Sequence, residues 1–149
     1  MMSTRWCYGI VVLIGLLVSA CGGTHGHVGQ YWVPGTTDEI YDTLHDIAAD
    51  SASGVSLVDN EDYGLKPYLR VTILTPGYSI KGVTLRVSTP LERDGARGCL
   101  VSIVDVRRKD GVNCHSGDCA AKEVEEGKKA AEAFLMGPLR RSFRVDLID

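Results

Sequence analysis

The sequence has no stretch long and apolar enough for a permanent spanning helix. Its apolar run over residues 10–18 falls well short of the roughly 20 residues that cross a hydrocarbon core. A glycine-rich phosphate loop, a Gly-x-Ser-x-Gly turn and a His-Glu-x-x-His helix are also missing. Their absence removes the common routes to nucleotide, serine-hydrolase and zinc-protease chemistry. No basic stripe is present either. Lys and Arg total 16 against 19 Asp and Glu, a formal charge of -3, which argues against a nucleic-acid partner. Arg107-Arg108-Lys109 and Arg140-Arg141 read as short solvated turns. With 149 residues the chain can still bury a core without metals or many disulfides.

What is present starts at the N-terminus. Arg5 gives one positive charge, the apolar run from Ile10 to Val18 follows, and Ser19, Ala20, Cys21, Gly22 and Gly23 make a small-residue exit. This is the order of an export signal. Removing residues 1–20 takes away Arg5 and no acid, so the net charge becomes -4. Leu17-Val18-Ser19-Ala20-Cys21 resembles the lipobox of bacterial lipoproteins, in which an aliphatic residue and two small ones precede a cysteine placed just after the apolar run. The resemblance covers residues 1–21. It implies cleavage before Cys21, a diacylglycerol on the Cys21 sulfur and an acyl chain on its nitrogen; two or more chains anchor a protein stably. Gly22 in place of an aspartate implies sorting to the outer membrane, facing the periplasm. The outer leaflet of the inner membrane and the cell surface are the alternatives.

Residues 21–35 then read as the lipidated cysteine and a flexible, glycine-rich tether, within which Gln30-Tyr31-Trp32-Val33 has the composition of a short strand. His25 and His27 stand without a neighbouring carboxylate or cysteine, as expected of a solvated linker. A single domain is predicted over 36–149. Thr36-Thr37-Asp38-Glu39 spells a capping box, and Ile40, Tyr41, Leu44, Ile47 and Ala48 recur at helical spacing, ending at Ser53-Gly54. A short strand is expected near Val55–Val58. Leu69, Val71 and Ile73, then Val83, Leu85 and Val87, alternate with polar residues as half-buried strands. The run from Cys99 to Val106 is apolar enough for the sheet centre, and short connections make these three antiparallel neighbours. A second helix starts with Asp118 as cap, carries Ala120, Val124, Ala131, Phe134 and Leu135, and stops at Gly137-Pro138. A last strand sets Phe143, Val145 and Leu147 on one face. The fold class is therefore α+β: two helices on one face of a mainly antiparallel sheet of about 4–5 strands, in the order helix, strands, helix, strand.

Three cysteines remain after Cys7 leaves with the signal and Cys21 takes lipid. An oxidising envelope favours a disulfide. Cys114 with Cys119 closes a small ring; Cys99 with either of them is the rival pairing. Written as a metal set, Cys99, Cys114, His115 and Cys119 suit zinc poorly, because the adjacent Cys114 and His115 side chains diverge. The acidic run from Asp59 to Gly64 reads as a solvated turn, since Tyr63 and Arg70 occupy calcium-ligand slots. His45 among Asp42, Asp46 and Asp50 is the polar face of a helix. No catalytic residue, cofactor or metal follows from these patterns. The expectation is a non-catalytic binding or assembly module, held to the membrane by its N-terminal lipid and serving an envelope protein partner. The alternative is a redox- or metal-sensing lipoprotein working through Cys99, Cys114, His115 and Cys119. Small outer-membrane lipoproteins that assist envelope assembly often pack two helices on about four strands, and the predicted plan resembles theirs.

Overall fold

The computed structural model describes residues 27–58, 66–115 and 117–148. The expected signal, Cys21, residues 22–26 of the expected tether and the acidic run from Asp59 to Gly64 lie outside them. The chain folds as strand β1 (Gly29–Pro34), helix α1 (Thr37–Ala49), strands β2 (Val55–Leu57), β3 (Tyr68–Ile73), β4 (Ile80–Val87), β5 (Leu91–Arg93), β6 (Ala96–Arg108) and β7 (Asn113–Cys114), helix α2 (Ala121–Ala131) and strand β8 (Asp146–Leu147). The sheet runs β2-β3-β4-β6-β1-β8, and β5 and β7 also pair with β6. Every pairing is antiparallel. The class is thus α+β, but the strand count and the order differ from the expectation.

The sheet has eight strands, and the first precedes α1. Residues 29–34 are not the end of a tether: β1 lies between β6 and β8, with Tyr31, Trp32 and Val33 all buried. A strand buried on both faces has no alternation to announce it, and Gly29 and Gly35 disguise its ends as linker. Strands β5, β7 and β8 have two or three residues each, too few to show a period. The C-terminal strand is correspondingly shorter than expected. It pairs only Asp146 and Leu147 with β1, and Leu147 is 63% exposed rather than in the core.

Strand β6 is the spine. Cys99, Val101 and Ile103 point to one side, the register shifts opposite Thr84 and Leu85, and Val106 then returns to that same side opposite Val83. With Leu69, Val71 and Leu85 these form the floor of the core. Helix α1 covers it through Ile40, Tyr41, Leu44 and Ala48. The capping box is complete: Thr36 Oγ1 accepts from Glu39 N at 3.2 Å, and Glu39 Oε2 accepts from Thr36 N at 3.0 Å. Helix α2 begins one residue after Ala120, not at Asp118, because the Glu123 carboxylate reaches back to the Ala120 N–H at 2.8 Å and satisfies the first turn without a polar cap. Its Gly127 passes so close to β6 that a Cβ there would lie 2.8 Å from Val106 Cγ2.

Gly137-Pro138 does not stop this helix. A π-turn over Glu132–Met136 intervenes, with Gly137 N–H bonded to Glu132 O, and a last turn, Gly137–Leu139, follows. Pro138 falls in the first turn of that last piece, where its missing N–H leaves nothing unsatisfied. The inserted residue turns Leu135, Met136 and Leu139 into the core, all at 0% exposure.

Candidate functional site

The face of the sheet away from the helices is polar. Cross-strand rows on it are Arg70, Thr84 and Asp105, and next to them Thr72, Gly82, Arg107 and Asn113. Arg107 is not in a solvated turn: β6 extends through it, and it is 6% exposed. Its guanidinium lies over Gly82, where any Cβ would overlap the Val71 carbonyl oxygen and sit 2.6 Å from the Arg107 Nη2. The Nη2 donates to Thr72 Oγ1 at 2.6 Å and to Val71 O at 3.4 Å. Burial, and to a lesser degree the neighbouring Arg70, pull the Arg107 pKa below its ordinary value.

Asp105 is 3% exposed, and its Oδ1 contacts Nδ1 of the exposed His115. A buried carboxylate at Nδ1 fixes the orientation of an imidazole, which is half of a general-base arrangement. The other half is missing among the described residues: no hydroxyl or thiol there is hydrogen-bonded to His115. The contact ties β7 across to β6 and so closes the β6–β7 hairpin.

Next to His115 lies the cysteine pair. Cys114 and Cys119 are joined, with S–S 2.10 Å and Cα–Cα 5.1 Å. Cys99 is free and buried, which raises its thiol pKa, and it packs against Thr37 and the Gly35 carbonyl. It stands opposite Val33, whereas Cys114 stands opposite Val106. Those two positions are seven residue steps apart along β6, roughly 20 Å. The fold therefore does not bring Cys99 to Cys114, His115 and Cys119. It does bring Glu123, with Cys114 Sγ, Cys119 Sγ and a Glu123 oxygen all within 4.8 Å of one another. These donors are already engaged. The sulfurs are bonded to each other and offer no thiolate, while Glu123 accepts from Arg108 Nε at 2.7 Å, Arg108 Nη2 at 3.2 Å and Ala120 N at 2.8 Å. Those bonds, the Arg108 one foremost, hold the Glu123 carboxyl below the usual carboxylate range. The group works as a staple between the β6–β7 hairpin and the start of α2.

Comparison of the chain with protein-family models, with curated proteins and with solved structures finds no match. The functional reading accordingly stands on residues and geometry. Neither Glu123, the organiser of the α2 start, nor the Asp105–His115 contact follows from the sequence pattern; both depend on the β6–β7 hairpin, whose second strand is two residues long.

At the other end of the sheet a pocket of about 180 Å³ is lined by Trp32, Pro34, Arg93, Asp94, Arg144 and Asp146, among others. Arg93 lies over the Trp32 ring, 5.8 Å from its centroid, and Arg144 Nη2 is 3.1 Å from Asp146 Oδ2. The volume is below the roughly 300 Å³ at which ligand pockets begin, and Arg144 is already paired. Among the described residues no helix is long and apolar enough to cross a membrane.

Proposed function

We propose that this chain is an envelope lipoprotein: an export signal over 1–20, a lipid on Cys21, and a non-catalytic binding or assembly module that faces the periplasm from the outer membrane and serves an envelope protein partner. The observation that carries the reading is the spacing of two landmarks. Only six residues lie between the Leu17–Cys21 motif and Val28, whose N–H already donates to Ile103 O at 2.7 Å as the chain enters the sheet. A lipid anchor, a very short tether and a domain that begins at once form one continuous device. The Cys114–Cys119 bond supports an oxidising compartment. The engagement of Arg107, Asp105 and Glu123 in structural contacts supports binding over catalysis. Two sheet edges, β2 and the two-residue β8, support recognition by strand addition.

Membrane fractionation of cells expressing the full chain and its Cys21→Ser variant tests the reading. The native chain is expected in the outer-membrane fraction and the variant out of it. A native chain found in the soluble fraction would remove the anchor from the account.

A further inference from the structure

We propose that the end of the domain bearing the β3–β4 and β6–β7 turns rests on the bilayer that carries the Cys21 lipid, with Leu74 and Val112 entering the headgroup layer. This rests on the lipoprotein reading above. The sheet register defines that end. Thr72, Gly82, Arg107 and Asn113 form one row across β3, β4, β6 and β7, so the turns just beyond it, residues 74–79 and 109–112, protrude side by side. Strand β1 runs from Gly29 opposite Ile103 to Pro34 opposite Gly98. The direction from Pro34 back to Gly29 therefore points toward the same end, and that is the direction in which Cys21 lies along the chain.

The tether is too short to let the domain turn over freely. Only six residues separate Cys21 from Val28. Fully extended, that connection reaches about 24 Å, and as a flexible coil about 15 Å. The second figure matches the radius of gyration of about 14 Å expected of a domain this size. The end from which the chain leaves is thus held against the membrane, and any contact it makes there is effectively intramolecular.

The surface at that end suits such a contact. Leu74 is 61% and Val112 53% exposed, and each sits on a turn where nothing in the fold requires a large apolar side chain. Lys81 and Lys109 are exposed beside them, and neither has an ion-pair partner among the described residues. Their stems can lie along the apolar boundary while the ammonium groups reach lipid phosphates. The exposed Asp110 on the same turn is held locally, its Oδ1 accepting from Val112 N at 2.9 Å. The opposite end of the sheet presents Glu92, Arg93, Asp94 and Arg97 instead.

The test supplies the anchor chemically, so that it does not depend on lipidation in cells. The mature chain, beginning at Cys21, is coupled through that thiol to a maleimide-headgroup lipid in phosphatidylethanolamine–phosphatidylglycerol vesicles whose acyl chains are brominated near the carbonyl. Trp6 lies in the signal, so the only native tryptophan is Trp32, which is 4% exposed. Tryptophan added as Val112→Trp or Leu74→Trp is expected to lose about half or more of its emission to bromine, given a depth near the headgroup–acyl boundary, and Leu91→Trp at the far end to lose little. In the unsubstituted chain, coupling is expected to slow acylation of Lys81 and Lys109 several-fold by a membrane-impermeant amine reagent and to leave Lys66 unchanged. Equal quenching at the three positions, or equal acylation rates with and without coupling, would overturn the proposal. A native chain found in the soluble fraction in the fractionation experiment would overturn the lipoprotein reading separately, whatever the vesicles show.

Discussion

Gly127→Ala sets two well-characterised effects against each other. Gly127 lies inside α2 and outside the positive-φ glycines, so alanine there should gain about 1 kcal/mol of helix propensity. Against this, the new Cβ would lie 2.8 Å from Val106 Cγ2, with Val28 Cγ1 at 3.6 Å and Val83 Cγ1 at 3.9 Å around it. Carbon atoms prefer about 3.5–4.0 Å, so the helix or Val106 must give way by nearly an ångström. Val106 is fully buried in the central strand and stiff at χ1, which leaves the helix to lift off the sheet. Overpacking of this kind costs about 1–3 kcal/mol and outweighs the propensity gain. In urea titrations of residues 21–149 carrying Cys21→Ser, Gly127→Ala is expected to lower the midpoint at constant slope, by the equivalent of up to about 2 kcal/mol. In a Val106→Ala background the obstructing methyl is gone, and the same substitution should stabilise by up to about 1 kcal/mol, so the two sites couple in a double-mutant cycle. A Gly127→Ala protein more stable than its parent would refute the close approach of α2 to β6.

Two further perturbations probe the staple at the start of α2. Replacing Cys114 and Cys119 by alanine opens a ring of sequence separation 5 and should cost about 2 kcal/mol by loop-closure entropy; an unchanged urea midpoint would contradict it. The same non-reduced Cys21→Ser chain in denaturant should titrate one thiol, that of Cys99, whereas three thiols would revive the metal reading. The depressed Glu123 carboxyl, held mainly by Arg108, predicts a pH dependence. A folded pKa below the unfolded one gives stabilisation that is present above the unfolded value near 4.3 and is lost as pH falls through the folded one. The stability difference between the native chain and Glu123→Gln should therefore be constant near neutral pH and shrink in acid. A difference that grows on acidification would reverse the assignment.

How much of this was legible depended on the range of the signal. The α1 start was legible because its capping box is written within four residues, and the alternation of β3 and β4 because the second face of each is polar, half-exposed on β3 and largely buried on β4. Strand β1 was half legible: its aromatic and β-branched residues pointed to a strand, while the flanking glycines placed it in a tether. The fate of Gly137-Pro138 turned on a π-turn that leaves no local mark in sequence. Arg107 looked like part of a basic turn because its burial depends on Gly82, 25 positions earlier, leaving room for the guanidinium. The Asp105–His115 contact was out of reach for the same reason, since it exists only once β7 has folded back on β6. The Cys114–Cys119 spacing, by contrast, carries its own geometry, and the pair is at bonding distance.

The central claim is that the mature chain begins at a lipidated Cys21, and intact mass of the protein purified from membranes tests it most directly. The predicted result is a chain of residues 21–149 carrying added acyl mass, with both the acyl mass and the membrane association absent from Cys21→Ser. A native chain of unmodified mass, or one cleaved elsewhere, would contradict the account and return Cys21 to the pool of cysteines available for pairing.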